Sequence, residues 1–148
     1  MSDPTNLTGT DPKLKPVPEN DQEWRSRLDR AAYDVLRRQG TERAFTGKYV
    51  DTDADGMYRC AGCGQQLFAS DTKFHSGCGW PSFTEALPDA VRLIEDHSYG
   101  MHRVEVRCSR CDSHLGHVFE DGPIDRGGLR WCINSISIDL DQDAAGED

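Results

Sequence analysis

Two Cys-x-x-Cys pairs constrain this chain more than any other feature, because four thiols at this spacing have few uses. The pairs are Cys60 with Cys63 and Cys108 with Cys111. Two intervening residues let a tight turn direct both sulfurs at one point, and two such turns supply the four thiolates of a closed tetrahedral Zn²⁺ site. The sequence therefore predicts one structural zinc ion, held by a zinc-knuckle clasp that ties two distant hairpins together.

The charge of the chain bears on its partners and its compartment. Its 148 residues include 26 acidic and 17 basic side chains, which gives a net charge of −9. Such a chain has no electrostatic reason to bind nucleic acid or anionic lipid. The sequence also lacks an apolar stretch of membrane-spanning length and a secretory-signal pattern. We therefore expect a cytoplasmic protein that binds neither nucleic acid nor membrane.

Two other uses of the four cysteines are open at this point. A redox-active Cys-x-x-Cys is expected beside a βαβ pattern, which the sequence lacks. Two disulfides conflict with a cytoplasmic location, where thiols are kept reduced. Both alternatives are therefore less favoured than zinc.

The composition predicts one folded domain between two polar ends. Residues 1–20 contain four of the seven prolines and almost no large apolar side chains, so we expect a flexible arm. Residues 141–148 are acidic and small, which predicts a flexible tail. The remaining segment, 21–140, is of single-domain size and contains all the motifs described below.

The apolar pattern predicts a mainly β body with an N-terminal helix. Asn20 and Glu23 form a capping box, an apolar stripe runs from Trp24 to Leu36, and Gly40 suits the left-handed position after a helix. Short strands are predicted at 57–59, 91–94, 101–107 and 131–140, the third with one face in water. The absence of βαβ alternation and of a glycine-rich phosphate loop disfavours a nucleotide-binding fold.

Two cysteines remain outside the pairs, and both have unusual neighbours. Cys78 has glycine on each side, which gives the backbone freedom to bring one thiol to another sulfur. Period-two alternation places Arg130, Cys132 and Asn134 on the same face of a strand. A cation and an amide donor beside a thiol lower its pKa, so Cys132 is a candidate nucleophile. The competing interpretation of Cys132 as a small buried apolar residue is equally supported by this strand alone.

Two histidines and a tryptophan also have more than one interpretation. His114 and His117 have three interpretations: zinc ligands of another site, core histidines, or an acid–base pair. The four paired cysteines already complete a tetrahedron, and a spare thiol lies near in sequence, which favours catalysis. Trp80 is either a core residue or an aromatic wall for a thioether-like group.

The motifs together closely resemble the methionine (R)-sulfoxide reductase B family. They are the two Cys-x-x-Cys pairs, residues 76–83 (Ser-Gly-Cys-Gly-Trp-Pro-Ser-Phe), residues 114–119 (His-Leu-Gly-His-Val-Phe) and residues 130–135 (Arg-Trp-Cys-Ile-Asn-Ser). The match is colinear over about two-thirds of the chain. The departures are small: Trp131 stands where tyrosine is commoner, and Arg43-Ala44 where prolines are often found.

The resemblance implies a fold of two antiparallel sheets with helices on the N-terminal side, and a catalytic reductase domain over 21–140. Cys132 matches the nucleophile that attacks the sulfoxide sulfur, which releases methionine and leaves a cysteine sulfenic acid. Cys78 matches the resolving cysteine, which converts the sulfenic acid to an intramolecular disulfide that thioredoxin reduces. The four paired cysteines match the family's zinc ligands.

The resemblance also implies a substrate site. Trp80 resembles the residue that packs against the ε-methyl group of the substrate. The polar groups around the sulfoxide oxygen, including the catalytic histidines, are matched by His114, His117, Arg130 and Asn134. Asp121 matches a supporting acid of that polar shell.

Two functions from other classes compete with the reductase. A zinc-ribbon interaction module without catalysis gives no reason for two spare thiols beside two histidines. A thiol peroxidase or redox sensor that uses the same cysteines gives no reason for Trp80. We expect a monomer, because the surface is acidic and the sequence has no repeats. We also expect it to act on oxidised proteins, because a repair site must be open to solvent.

Overall fold

The computed structural model describes residues 11–142. Within them, nine strands form two antiparallel sheets behind two short helices. The helices are α1 (Asp21–Arg27) and α2 (Arg30–Arg38), and the strands are β1 (Met57–Cys60), β2 (Gln66–Ala69), β3 (Lys73–Phe74), β4 (Ser82–Phe83), β5 (Val91–Asp96), β6 (Arg103–Cys108), β7 (His114–Phe119), β8 (Arg130–Ile133) and β9 (Ile138–Asp141). The prediction of a mainly β fold with two antiparallel sheets is confirmed.

The two sheets have different sizes. The smaller one has three strands in the order β2-β1-β9, and the larger one has six in the order β3-β4-β8-β7-β6-β5. The strands β5, β6, β7 and β8 therefore lie side by side in chain order. This arrangement brings the sequence motifs of β7 and β8 next to one another at the middle of the larger sheet.

The N-terminal helix differs from the prediction, because two helices replace one. The Asn20 side chain accepts from the Glu23 backbone N–H and starts α1 as predicted. Leu28 is extended, and the Asp29 side chain then accepts from the backbone N–H of Ala32 and starts α2. A second N-cap inside the apolar stripe therefore divides the helix. The left-handed residue at the end is Gln39 (φ 58°) and not Gly40.

The segment predicted as one strand over 131–140 is also divided. Strand β8 ends at Ile133 and β9 begins at Ile138, in the other sheet. A single 3₁₀ turn, Ser135–Ser137, carries the chain between them, and the side chains of Ser135 and Ser137 are buried in this connection. The segment therefore joins the two sheets at the point where the β8 motif ends.

Aromatic side chains form the centre of the core. Phe68 stacks on Phe83 with ring centroids 4.4 Å apart, and Tyr58 meets Phe83 edge to face at 5.1 Å. Trp131, on β8, meets Phe68 edge to face at 6.2 Å. Burial of each large ring stabilises the fold by roughly 2–3 kcal/mol. The strand that carries Cys132 is thus anchored on its other face by Trp131.

The N-terminal segment has contacts with the folded body. The part of the predicted flexible arm that the structure describes lies against the first cysteine pair, where the Lys15 backbone N–H donates to the Cys63 carbonyl at 2.8 Å. Asp11 forms an ion pair with Arg59 at 3.0 Å. Residues 1–10 and most of the predicted tail, 143–148, lie outside the described residues. No helix within 11–142 has the length and apolar character needed to cross a membrane.

Candidate active site

The four paired cysteines lie together at one end of the fold. Their sulfurs all lie within 4.8 Å of one another, with Sγ–Sγ distances of 3.6 Å for Cys60–Cys111 and for Cys63–Cys108. All four side chains are buried, and none is in a disulfide. The cluster joins the loop after β1 to the turn between β6 and β7. The predicted ligand set is thus assembled, and its thiols suit a metal ion of the structural class.

The reactive-cysteine motif lies at the centre of the larger sheet. In the antiparallel register, Cys132 of β8 is paired with His117 of β7 on one side and with Ser82 of β4 on the other. Paired residues project to the same face, so the His117 and Cys132 side chains are neighbours. A Cβ at Gly116 would lie 2.0 Å from the Cys132 carbonyl oxygen, so only glycine allows β7 to approach β8 this closely here.

The second spare cysteine reaches Cys132 from a loop. Gly77 (φ 83°) and Gly79 (φ 98°) flank Cys78, and both have the left-handed conformations that favour glycine. The Sγ atoms of Cys78 and Cys132 are 3.6 Å apart. The Ser76 hydroxyl lies 3.0 Å from the Cys78 sulfur. A disulfide has an S–S length of about 2.05 Å, so a small loop movement joins the pair.

The contact between the two sulfurs shifts the pKa values of Cys78 and Cys132 in opposite directions. Hydrogen bonds from Cys132, and then from Ser76 and Ser82, lower the pKa of Cys78 to about 4 despite partial burial. The hydrogen bond to Cys78, followed by burial, raises the pKa of Cys132, and Arg130 acts in the opposite direction. Arg130 lowers the pKa of Cys132 as predicted, but the expected net lowering is wrong for the resting pair, because contact with Cys78 outweighs the guanidinium.

A cavity of about 230 Å³ opens over this pair. It is lined by Thr41, Cys78, Trp80, Arg103, Gly116, His117, Phe119, Arg130, Cys132 and Asn134. Six of the eight residues predicted for catalysis or substrate binding line this cavity. Arg130, Cys132 and Asn134 all line the cavity, although Asn134 lies just beyond the end of β8. His114 and Asp121 are not among the lining residues.

His117 is held by an acid that the sequence did not single out. Its Nε2 lies 2.8 Å from Oδ2 of Asp96, the last residue of β5, and Arg103 pairs with the same oxygen at 3.4 Å. Burial lowers the pKa of His117, and the hydrogen bond with Asp96 partly offsets this. The His117 imidazole in turn holds the pKa of Asp96 well below its usual range. At neutral pH the site therefore contains a neutral imidazole beside an ionised carboxylate.

His114 lies behind His117, with the two ring centroids 5.5 Å apart. Its Nδ1 is 2.7 Å from Oε2 of Glu105, and both side chains are buried. Burial alone raises the pKa of Glu105, but hydrogen bonds with His114 and Arg107 lower it to about 2. The predicted wet face of this strand is therefore wrong at Glu105, because two partners compensate the buried charge. Among the described residues, His114 Nε2 has no hydrogen-bond partner.

Two further predicted residues are fixed by neighbours. The Trp80 indole Nε1 donates to the Glu42 carbonyl at 3.0 Å, which orients the ring at the cavity wall. The guanidinium of Arg130 lies 4.4 Å from the centroid of the Phe119 ring. Asp121 accepts from Nε and one terminal nitrogen of Arg130 at 2.9 and 3.2 Å. Asp121 thus acts on the cavity through Arg130 and not by lining it.

Comparisons with known proteins agree with this geometry. A family model described as the SelR domain matches residues 28–142. A relative named peptide methionine sulfoxide reductase MsrB from Thiobacillus denitrificans is 59% identical over 122 residues, which cover 82% of this chain and 92% of the relative. The chain belongs to the MsrB family. It is an oxidoreductase that reduces methionine sulfoxide.

Two more relatives with the MsrB name extend over still more of the chain. The relative from a Synechococcus species is 55% identical over 84% of this chain and 92% of its own length. The relative from Methanosarcina barkeri is 53% identical over 90% of this chain and 94% of its own length. The family removes the non-catalytic zinc-ribbon interpretation, since it assigns a reductase activity to this chain.

Sequence reasoning missed part of this MsrB site. Asp96 and Arg103 lie at the ends of the β5–β6 hairpin, face each other across it and support His117. The sequence places Asp96 21 residues before His117, so no local spacing connects them. The one available signal was the acidic pair Glu95-Asp96 directly after the predicted strand 91–94. Phe119 belongs to the motif at 114–119, but its contact with the Arg130 guanidinium could not be predicted from the sequence.

The low pKa of Cys78 predicts an unusual alkylation profile. Because the pKa of Cys78 is about 4, its rate of carbamidomethylation by iodoacetamide is expected to be nearly flat from pH 8 to 5 and to fall below pH 4. An ordinary thiol loses about tenfold in rate per pH unit over that interval. Mass spectrometry of the Cys78 peptide measures the rate. The control, Cys132→Ser, removes the thiol that lowers the pKa of Cys78 most, and it should move the profile towards that of an ordinary thiol. A profile like that of an ordinary thiol in the parent protein contradicts the low pKa of Cys78.

Proposed function

We propose that this protein reduces the R epimer of methionine sulfoxide, with Cys132 as the nucleophile and Cys78 as the resolving thiol. The observation that carries the proposal is the 3.6 Å contact between these two sulfurs in the wall of the cavity. Methionine sulfoxide is chiral at sulfur, and separate enzymes reduce its two epimers. A single cavity with fixed walls supports the choice of one epimer.

The first step transfers the sulfoxide oxygen to Cys132. The Cys132 proton moves to the adjacent Cys78 thiolate, and the resulting Cys132 thiolate attacks the sulfoxide sulfur. The sulfoxide oxygen takes up a proton and leaves with the enzyme sulfur as a cysteine sulfenic acid, while methionine is released. His117, after taking up a proton from solvent, is the proposed acid, because it is the imidazole in the cavity wall and Asp96 stabilises its charged form.

The second step forms the disulfide. Cys78 attacks the sulfur of the Cys132 sulfenic acid, and the oxygen leaves as water. The sulfenic acid thereby returns along the reversible part of the oxidation ladder. Cys78 carries the proton that it received in the first step and gives it up to the leaving oxygen as it attacks, and the Ser76 and Ser82 hydroxyls beside its sulfur support the thiolate. The net change converts one sulfoxide and two thiols to one sulfide, one disulfide and one water.

The substrate is proposed to be held by apolar contact at one end and polar contact at the other. Trp80 is the proposed wall for the ε-methyl group, since its indole is fixed at the cavity by Glu42. Arg130, which Asp121 holds in place, and Asn134 are the proposed polar partners of the sulfoxide oxygen and its waters. His114 is proposed to act from behind, through its contact with His117.

Thioredoxin is the proposed reductant of the disulfide. It supplies two electrons as a dithiol, which restores both cysteines. This cycle requires a reducing compartment, in agreement with the expected cytoplasmic location. We propose that the protein works as a monomer on oxidised proteins. Cys78 and Cys132 are only partly buried, which supports access by a methionine side chain that is still part of another protein.

The four-cysteine cluster is proposed to hold one structural zinc ion. A tetrahedron with Zn–S bonds of about 2.3 Å has sulfur–sulfur edges of about 3.8 Å. The two 3.6 Å distances and the 4.8 Å upper limit in the cluster fit such a tetrahedron. The ion would join the two knuckles and take no part in the reaction, because no substrate position is left on it.

Epimer-resolved turnover tests the proposed reaction. We expect thioredoxin-coupled NADPH consumption with the R epimer of a blocked methionine sulfoxide and none above background with the S epimer. Equal rates on the two epimers contradict the stereochemical assignment. Absence of turnover on both, with zinc bound and the thiols reduced, contradicts the reaction.

Substrate context needs a separate comparison. We expect kcat/KM to be higher for methionine sulfoxide within an oxidised protein than for the free amino acid, since neighbouring residues of a protein add contacts beyond the 230 Å³ cavity. The two substrates are compared at equal concentrations of the R epimer. A higher value on the free amino acid refutes the proposal of protein substrates.

A further inference from the structure

The tip of the β5–β6 hairpin carries three side chains that the proposed reaction does not use. They are Glu95 at the end of β5, His97 just after it, and His102 just before β6. Their ligand atoms all lie within 4.8 Å of one another. Nε2 of His97 is 3.2 Å, and Nε2 of His102 is 3.4 Å, from the same Glu95 carboxylate oxygen.

A tight turn produces this convergence. Tyr99 (φ 59°) and Gly100 (φ 71°) have left-handed conformations and reverse the chain between the two histidines. The His97 and His102 rings then stack with centroids 4.8 Å apart and an interplanar angle of 10°. The three side chains are 65–72% exposed, so core packing does not account for their meeting. Exposed histidine–carboxylate pairs also contribute little to stability.

The donor set has a definite chemical preference. Two imidazoles and one carboxylate suit Zn²⁺, Ni²⁺ and Cu²⁺, whereas Mg²⁺ and Ca²⁺ prefer oxygen ligands alone. An exposed glutamate is ionised at neutral pH, so the Glu95 carboxylate is available as a ligand. Because the cluster is exposed, water can complete the coordination of a bound ion.

We propose that Glu95, His97 and His102 form a second metal site, separate from the four-cysteine cluster, for a divalent cation that prefers imidazole. The site spans the turn between β5 and β6. The residues at the two ends of this turn, Asp96 and Arg103, contact the cavity or its histidine. Asp96, between two of the ligands, pairs with His117, and Arg103, beside the third, lines the cavity. A bound ion ties the two ends of this turn together and orders the segment that carries the partner of His117.

The test uses Ni²⁺ as the probe, with untagged, zinc-loaded protein carrying Cys78→Ser and Cys132→Ser. These two substitutions remove the reactive thiols as competing ligands, so the result does not depend on the proposed reaction. NMR of the five histidine rings reports paramagnetic broadening for each ring separately. We expect one Ni²⁺ per chain, with the His97 and His102 signals broadened first and a tenfold excess of Mg²⁺ without effect.

Matched variants assign the ligands. Glu95→Gln, His97→Gln and His102→Gln are each expected to weaken Ni²⁺ binding by at least about tenfold. The control is His75→Gln. His75 also pairs with an exposed carboxylate, Asp53, at 2.6 Å, but within residues 11–142 it belongs to no group of three potential ligands. Its removal should leave the affinity unchanged. Broadening of His75 or His117 ahead of the hairpin rings, or undiminished binding in all three ligand variants, overturns the proposal.

Hydrogen exchange measures the structural consequence. On addition of Ni²⁺, the backbone amides of residues 97–102 are expected to exchange severalfold more slowly, because opening the turn then requires release of the ion. His102→Gln should abolish this protection, whereas the amides of the central strands should not change in either protein. Exchange that is unaffected by Ni²⁺ at saturation contradicts the claim that the ion orders the turn.

Discussion

Replacement of Cys132 by serine is expected to abolish turnover, with kcat/KM reduced by at least about 10⁴-fold. A hydroxyl in this position is not ionised at neutral pH and is a much weaker nucleophile towards sulfur than a thiolate. Cys132 lines the cavity and is paired in register with His117. The measurement is thioredoxin-coupled NADPH consumption with the R epimer at saturating thioredoxin.

The matched control for this prediction is Cys78→Ser. It makes the same oxygen-for-sulfur change 3.6 Å away, but it leaves the proposed nucleophile in place. We expect about one methionine released per chain, followed by arrest with a sulfenic acid on Cys132 that a sulfenate-specific reagent labels. The first turnover should be slower than in the parent protein, since the Cys78 thiolate that accepts the Cys132 proton is missing. Sustained turnover by Cys132→Ser, or full multiple turnover by Cys78→Ser with thioredoxin, contradicts the assigned roles.

Loss of a cysteine from the four-thiol cluster is expected to have the largest effect on stability. Structural zinc binding in small domains is worth about 10–16 kcal/mol, whereas a whole domain is stable by only about 5–15 kcal/mol. The cluster joins the β1–β2 loop to the β6–β7 turn, and it also receives the N-terminal segment through Lys15. Cys63→Ser and Cys111→Ser are therefore expected to lose the metal and to unfold, or to melt at least about 20 °C lower.

Cys132→Ser is also the control for the cluster variants, because it removes a partly buried thiol outside the cluster. It should retain one zinc ion per chain and a melting temperature within a few degrees of the parent protein. Metal content by elemental analysis and melting by circular dichroism decide the outcome. Chelation of the parent protein should lower its melting temperature in the same way. A zinc-free chain with unchanged melting contradicts the structural metal site.

Local features of the site could be predicted from the sequence because short-range geometry determines them. The Cys-x-x-Cys spacing fixes two sulfurs within one turn, so two pairs predict a cluster without knowledge of the fold. Period-two alternation likewise places Arg130 and Cys132 on one face of β8, and Asn134, just past the end of that strand, lines the same cavity. The overall β character followed from the same alternation and from the absence of long apolar helices.

Features that depend on long-range pairing could not be predicted in this way. Asp96 meets His117 only because β5, β6 and β7 are neighbours in the sheet. The pKa of Cys132 depends on a loop that places Cys78 against it, and that contact outweighs the Arg130 charge. Alternation predicts a wet face for Glu105, but its side chain is buried, and His114 of β7 and Arg107 of the same strand satisfy it.

The division of the helix at Asp29 is a different kind of miss. An N-capping residue was present in the sequence, but the apolar stripe from Trp24 to Leu36 continued through it and predicted one helix. The stripe reports which side faces the core, and both helices bury their large apolar residues there, Trp24 in α1 and Val35 and Leu36 in α2. The N-cap decides where the helix breaks. The Asp29 side chain accepts from the backbone N–H of Ala32, which in a continuous helix would donate to a backbone carbonyl of the preceding turn.

The most direct test of the central claim is a single turnover followed by disulfide mapping. Reduced protein is mixed with one equivalent of the R epimer in the absence of thioredoxin, quenched with an alkylating reagent and digested. We predict one methionine formed per chain and one disulfide, between Cys78 and Cys132, with the four cluster cysteines unpaired. Two results in the parent protein would contradict the account: methionine formation with any other disulfide, or methionine formation with Cys78 alkylated by the quench and therefore still a free thiol.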